Sequence, residues 1–221
     1  MSADGASLPT MLVALMYFGD MVFAFSGALV AGRHRMDLVG IVLIGIVTGI
    51  GGGTLRDVLL GNPVWWVHNS LELVLCAVTA FAAYFLKGVP GGRDDAAAWA
   101  DAVGLAAFAV VGAHIALSGG ASAVTASFLG MVTATGGGLI RDLLTQTRPM
   151  ILSSDLYATA ALVGAAAYVL LTRHVVGADA GAAIAFALAF AVRAVAMKYR
   201  VRFGAMGEPI ITIGRPEKPP S

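Results

Sequence analysis

Two matching stretches of the chain place glycines and charged residues inside apolar runs. The first, TGIGGGTLRDVLLG, spans residues 48–61, and the second, TATGGGLIRDLLTQ, spans residues 133–146. A charged side chain costs about 2.5–3.5 kcal/mol at the centre of a membrane and by default marks a functional site, such as an ion pathway. The candidate residues are therefore Gly51, Gly52, Gly53, Arg56 and Asp57 in the first stretch, and Gly136, Gly137, Gly138, Arg141 and Asp142 in the second.

The glycine triplets allow two interpretations. Small residues at positions 45, 49 and 53, and again at 130, 134 and 138, form ridges that let helices pack closely. These ridges do not explain Gly51 and Gly52, which lie on other faces of the helix. Because three glycines cost a helix about 3 kcal/mol relative to alanine, we predict a kink or a short unwinding at each triplet. Carbonyl groups freed there could coordinate a cation.

The two Arg-Asp pairs also allow two interpretations. Neighbouring residues on a helix do not face each other, so Arg56 can meet Asp142 while Arg141 meets Asp57 across the two copies. Such reciprocal pairs either lock the halves of the protein together or form part of a gate or pore lining. A buried ion pair is weak support for net stability, and the sequence leaves both roles open.

Further polar residues lie inside predicted helices. Asp20 either interacts with a permeating cation or makes a structural hydrogen bond. Thr48 and Thr133 stand before the glycine triplets and Ser26 lies one helix away. These hydroxyls either line a pore or bond the carbonyl four residues earlier in their own helix. Arg193, in the last predicted helix, is expected to snorkel toward the membrane surface.

The composition requires these residues to be positioned by membrane helices. The chain has 221 residues, of which 58% are hydrophobic and 12% are charged, whereas an ordinary soluble domain carries roughly 25% charged residues. A bilayer core requires about 20 apolar residues per helix. The sequence therefore predicts an all-α transmembrane protein of seven helices, at residues 8–31, 38–60, 71–86, 97–117, 121–145, 154–171 and 180–197.

The two matching stretches belong to a longer internal repeat. At an offset of 85 residues, nine of the fifteen positions in 45–59 are identical to those in 130–144. The repeats are predicted at 8–87 and 97–172, with a separate seventh helix at 180–199. Because each repeat holds three helices, an odd number, the second copy must insert upside down, as in many transporters.

The distribution of charge predicts the orientation in the membrane. Lys and Arg are concentrated in the segments that follow the first, third, fifth and seventh helices. By the positive-inside rule, the N-terminus lies outside and the C-terminus in the cytoplasm. The Pro-rich residues 203–221 are predicted to be a disordered tail.

Several classes of function are disfavoured by the sequence. A net charge of +1 without a basic stripe indicates no nucleic-acid partner. The single cysteine, Cys76, excludes a Cys-based metal site. The motifs of zinc proteases, α/β-hydrolases and phosphate loops are missing from the sequence, so we expect no enzyme, no catalytic residues, no cofactor and no metal site.

The doubled GGGxxRD, the FAxxGA of the preceding helices and the seven-helix layout resemble the prokaryotic TRIC (trimeric intracellular cation) channels over residues 17–199. Members of this family have also been labelled uncharacterised membrane proteins and glycine transporters. The resemblance implies a homotrimer in the prokaryotic inner membrane, in contact with lipid, with one pore for potassium or other monovalent cations in each protomer. It also implies helices kinked at residues 51–53 and 136–138.

Two functions from different classes remain. One is a passive channel for potassium, and the alternative is a secondary transporter for a small solute such as glycine. Inverted repeats and broken helices suit both. A transporter usually needs a coupling site, for which Asp20 is the obvious candidate, whereas fixed kinks with few charges suit a narrow pore better.

Overall fold

The computed structural model describes residues 8–86, 92–152, 156–203 and 211–213. Every predicted helical segment contains a helix, because apolar runs are separated by polar or small residues. The helices are α1 (Thr10–Arg33), α2 (Leu38–Leu60), α3 (Trp65–His68), α4 (Leu71–Tyr84), α5 (Gly92–Ser118), α6 (Ala123–Leu144), α7 (Tyr157–His174) and α8 (Ala178–Tyr199). A 3-10 turn occupies Met150–Leu152, and strands β1 (Val201–Phe203) and β2 (Ile211–Ile213) pair antiparallel.

Most of the long helices have the length and composition of membrane spans. Within the described residues, five qualify: α1, α2, the Asp95–Ser118 part of α5, α6 and α8. The helix α4 is apolar but has only 14 residues. The chain is therefore an integral membrane protein whose membrane part is helical, as predicted. The count of seven crossings stays a prediction.

The C-terminal part differs from the sequence-based expectation. The tail predicted to be disordered from residue 203 contains β2, which pairs with β1. Both segments hold β-branched or aromatic residues that favour strands, so a short β-pair follows the last helix. The predicted start of the sixth helix at residue 154 lies outside the described residues, and α7 begins at Tyr157.

The internal repeat is visible in local backbone geometry. Asp37 caps α2 by accepting a hydrogen bond from the amide three residues later at 2.8 Å, and Ser122 caps α6 in the same way at 3.2 Å. After α2, Gly61 adopts a left-handed φ of 69°, and Gln146 after α6 has a φ of 55°. Each pair of positions is separated by the 85-residue offset, so equivalent residues begin and end the two helices.

Reciprocal packing relates the two copies. The rings of Phe23 and Phe108, which are equivalent positions, stack at 5.3 Å between centroids. A Cβ at Gly19 would lie 3.1 Å from the Phe108 ring, and a Cβ at Gly104 would meet the Phe23 ring. Such exchanged contacts are typical of a two-fold relation. They hold α1 and α5 together, and α2 and α6 pack against this pair.

Candidate functional site

The helices α2 and α6 touch backbone to backbone at the glycine triplets. A Cβ placed on Gly52 would collide with the carbonyl oxygen of Thr133, and a Cβ on Gly137 would collide with the carbonyl oxygen of Thr48. A Cβ on Gly136 would lie 3.1 Å from the Cα of Gly52. The middle glycine of each triplet is therefore required by the closeness of the crossing.

The third glycine of each triplet, Gly53 or Gly138, faces another part of the fold, whereas Gly51 lies at the crossing like Gly136. A Cβ on Gly51 would lie 3.0 Å from Cδ1 of Ile140. A Cβ on Gly53 would lie 2.5 Å from the Trp65 ring, and one on Gly138 would lie 2.8 Å from the Tyr157 hydroxyl. Close packing thus reaches further around both helices than the predicted ridges of small residues.

The chain is not unwound at either triplet. Both α2 and α6 are continuous α-helices through residues 51–53 and 136–138. The expectation of a short unwinding that frees carbonyl groups was therefore wrong, because backbone packing between the helices accounts for the central glycines. A bend of the helix axis at the triplets stays a prediction.

The first arginine pairs with its neighbour in sequence. The Nε of Arg56 donates to Oδ1 of Asp57 at 2.8 Å, and Nη2 of Arg56 lies 2.7 Å from the same oxygen. Both side chains are buried, and the guanidinium lies over the Trp65 ring at 5.4 Å. Adjacent residues on a helix point in different directions, but the arginine side chain is long enough for its guanidinium to reach the carboxylate of the next residue.

The second arginine pairs in the same way and has further partners. Arg141 Nε donates to Oδ1 of Asp142 at 2.8 Å, and Nη1 donates to Asp101 at 2.8 Å and to the Ser26 hydroxyl at 3.0 Å. Ser26 in turn donates to the carbonyl of Ala97 at 2.8 Å. The predicted exchange of partners between copies was therefore wrong, since each arginine uses the aspartate next to it.

The arginine predicted to snorkel is buried instead. Arg193 is 3% exposed, and its guanidinium lies over the Tyr157 ring at 4.9 Å. Tyr157 is also within electrostatic reach of Asp101 and Arg141. The face of the Tyr157 ring replaces part of the hydration that the guanidinium loses on burial.

The two threonines satisfy their hydroxyl groups locally. Thr48 donates to the carbonyl of Ile44 at 2.6 Å, and Thr133 donates to the carbonyl of Leu129 at 2.7 Å. Both are fully buried. The local bond is the interpretation that the structure supports directly, and a pore-lining role for Thr48 and Thr133 stays a prediction.

Asp20 is a buried acid that makes no hydrogen bond to either arginine cluster. Its side chain is fully buried, and neither carboxyl oxygen has a hydrogen-bond partner among the described residues. Glu72 on α4 and Arg56 on α2 are within its electrostatic reach. Asp20 thus has a basic residue near it in space, although the sequence shows none near it along α1.

Several buried polar residues of these clusters were not predicted from the sequence. Asp101, Glu72 and Tyr157 were not among the candidates, although Asp101 and Glu72 are acidic residues inside predicted helices. That placement was the signal that could have found them. The described residues contain no group of three or more His, Cys, Asp or Glu suited to a metal ion. The arrangement offers fixed charges beside a close helix crossing, which can act electrostatically on an ion.

The chain matches a known family of membrane proteins. The model of the family described as Glycine transporter matches it twice, at residues 13–88 and 98–173. The UPF0126 inner membrane protein YadS of Escherichia coli K12 is 42% identical over 151 residues, which are 66% of this chain and 72% of YadS.

Solved structures agree with this assignment. The trimeric intracellular cation (TRIC) channel orthologue from Rhodobacter sphaeroides is 44% identical, with a TM-score of 0.84 over 87% of this chain and 100% of that chain. A prokaryotic TRIC channel crystallised in 0.5 M KCl is 32% identical, with a TM-score of 0.78 over 86% of this chain and 96% of that chain. The chain therefore belongs to the family described as Glycine transporter, together with the UPF0126 membrane proteins and the prokaryotic TRIC channels.

Proposed function

We propose that this chain is a channel for monovalent cations, chiefly potassium, with one pore in each protomer beside the crossing of α2 and α6. The observation that carries the proposal is the crossing itself, where two glycine-rich helices meet next to buried charged groups. The fold agreement with proteins described as cation channels supports it.

The contacts at the crossing suit a gate. Neither Arg56–Asp57 nor Arg141–Asp142 bridges α2 and α6, because each pair stays within one helix. The two helices meet through glycine backbone and the carbonyls of Thr48 and Thr133. A small separation or sliding at this point breaks no ion pair between α2 and α6. This favours a role for the charged pairs in the pore or its gate over a reciprocal lock.

The two-fold contacts support an inverted repeat around the pore. Phe23 and Phe108 stack on each other, and Gly52 and Gly137 exchange equivalent contacts. The family model also matches two segments. With three membrane helices in each repeat, the copies have opposite orientations, and the site lies between them near the midplane.

The same relatives support a proposal for the assembly and the location. The R. sphaeroides orthologue is described as trimeric and YadS as an inner membrane protein. We infer a homotrimer in the bacterial inner membrane, with lipid around its exposed apolar residues. The N-terminus lies outside and the C-terminus in the cytoplasm, as the positive-inside rule predicts.

A secondary transporter for glycine is the second candidate. The description of the matching family favours it, and the reciprocal repeats suit alternating access as well as a pore. A transporter saturates and exchanges its solute in counterflow, whereas an open channel conducts ions down their gradient without counterflow.

Proteoliposomes separate the two functions. The channel predicts a rapid potassium efflux that generates a membrane potential, read with a potential-sensitive dye, and no accelerated uptake of labelled glycine. Saturable glycine counterflow without potassium efflux would overturn the proposal in favour of the transporter. Liposomes with heat-denatured protein serve as the control.

A further inference from the structure

Two buried acidic side chains meet in the first repeat, away from the close contact of α2 with α6. Asp20 on α1 is fully buried, and Glu72 on α4 is 1% exposed. Both oxygens of Asp20 and Oε2 of Glu72 have no hydrogen-bond partner among the described residues. The two carboxyl groups are within electrostatic reach of each other.

Helix packing brings these side chains together. The Sγ of Cys76, one turn after Glu72 on α4, lies 3.6 Å from the carbonyl oxygen of Asp20. A Cβ at Gly49 on α2 would lie 2.5 Å from that sulfur and 3.0 Å from the same carbonyl. Glu72 lies one turn before Cys76 on α4, and it is within electrostatic reach of the Asp20 carboxyl group. The pair therefore lies where α1, α2 and α4 meet.

The charge around this pair is unbalanced when it is compared with the second repeat. In the second repeat, two guanidinium groups, of Arg141 and Arg193, accompany two carboxylates, of Asp101 and Asp142. At the equivalent place in the first repeat, the described residues in electrostatic reach of Asp20 include one more acid, Glu72, and one arginine, Arg56, which already pairs with Asp57.

The imbalance comes from particular substitutions between the copies. Glu72 occupies the position equivalent to Tyr157, and Asp20 the position equivalent to Leu105, at the 85-residue offset. Arg193 contacts Tyr157 from α8, which stands outside the repeats, and among the described helices the first copy has no counterpart of α8 to supply a second cation. A buried carboxylate without a partner is costly, and a bound cation removes that cost.

We propose that Asp20 and Glu72 form a binding site for a monovalent cation of sodium or potassium size. The Arg56 guanidinium lies within electrostatic reach of Asp20 and offsets part of the negative charge of the pair, which favours a singly charged cation over a divalent one. The bound cation would lie near the Arg56–Asp57 pair. Binding at this site does not depend on the proposed channel function, because an ion can bind there without a pore that crosses the membrane.

Thermal unfolding of the purified full-length protein in detergent tests the site. Potassium or sodium chloride is titrated against N-methyl-D-glucamine chloride at constant ionic strength, so that general screening is unchanged. A potassium or sodium concentration about 100-fold above the dissociation constant should raise the melting temperature by about 5–10 °C. Asp20→Asn and Glu72→Gln remove the cation dependence, whereas Asp95→Asn, at an exposed acid of α5, retains it.

Carbodiimide labelling gives a second readout on the unchanged protein, in case a variant fails to fold. Dicyclohexylcarbodiimide modifies buried carboxyl groups, and mass spectrometry locates the label. Saturating potassium or sodium lowers labelling of Asp20 and Glu72 by up to about 100-fold, as mass action predicts. Labelling that depends on pH but not on either cation would show a protonated pair and overturn the proposal.

The remaining outcomes are equally decisive. No cation-dependent stabilisation of the wild-type protein, or stabilisation that survives in Asp20→Asn and Glu72→Gln, would overturn the site. Neither experiment measures conduction, so their failure leaves the channel proposal standing. Conversely, absence of potassium flux leaves the binding site intact.

Discussion

The crossing of α2 and α6 makes a sharp prediction for Gly52→Ala. The added methyl group would fall on the carbonyl oxygen of Thr133, a backbone atom that cannot rotate away. Alanine gains about 1 kcal/mol of helix propensity over glycine, while overpacking costs about 1–3 kcal/mol, occasionally more. Because the clash is with backbone, we expect the upper part of that range and a net destabilisation of about 1–2 kcal/mol.

Two other glycines provide matched comparisons. Gly51→Ala gains the same helix propensity, and its methyl group would lie 3.0 Å from Cδ1 of Ile140, the end of a flexible side chain. It should therefore be neutral or slightly stabilising. Gly137→Ala repeats the clash of Gly52→Ala with the carbonyl of Thr48, so it should lose about as much stability.

The assay is thermal unfolding in detergent, followed by loss of the folded peak in size-exclusion chromatography. For a chain of this size, about 1–2 kcal/mol lowers the melting temperature by about 2–8 °C. Folded Gly52→Ala protein should also show altered unitary potassium conductance, because its methyl group forces α2 and α6 apart. Equal melting temperatures for Gly52→Ala and Gly51→Ala would refute the backbone contact at the crossing.

Three further sets of substitutions, at the two arginines, at Ser26 and at the two threonines, test the buried polar groups. Arg141→Gln should lower the free energy of unfolding by about 3–5 kcal/mol, because it leaves buried carboxylates unpaired. Arg56→Gln should lower it less, because Arg141 has two carboxylate partners and Arg56 has one within bonding distance. Equal melting temperatures of the two variants would contradict this. Ser26→Ala removes a hydroxyl that both accepts and donates a buried hydrogen bond, so it should cost about 1–3 kcal/mol in thermal unfolding, and no measurable loss would refute that role. Thr48→Val and Thr133→Val keep the shape of side chains whose hydroxyls bond their own helix, so the melting temperature should hardly change. With these residues in the pore lining, the unitary conductance of the variants should change. Unchanged conductance would exclude the lining role.

The positions of the helices could be predicted because membrane insertion depends on local composition. The apolar runs and the polar residues between them are properties of neighbouring residues along the chain, and the 85-residue repeat is found by comparing the sequence with itself. The ion-pair partners of Arg56 and of Arg141 could not be predicted in this way. They depend on side-chain conformation and on which buried groups the fold brings near, such as Asp101 on α5.

The glycine triplets show the same limit. Their importance was evident from the sequence, and a break in the helix was a reasonable interpretation of their low helix propensity. In the structure both helices are continuous, and Gly52 and Gly137 each lie against the backbone of the other helix. Propensity acts over a few residues, whereas the contact between α2 and α6 joins parts of the chain that are far apart in sequence, so tertiary packing decided the outcome.

The central claim, that the chain conducts potassium through a pore, is tested most directly in a planar bilayer. Purified protein is added under a potassium gradient with an impermeant anion, and current is recorded at fixed voltages. The proposal predicts discrete unitary currents that reverse near the potassium equilibrium potential. Absence of such currents from folded protein that carries out saturable glycine counterflow in liposomes would contradict it.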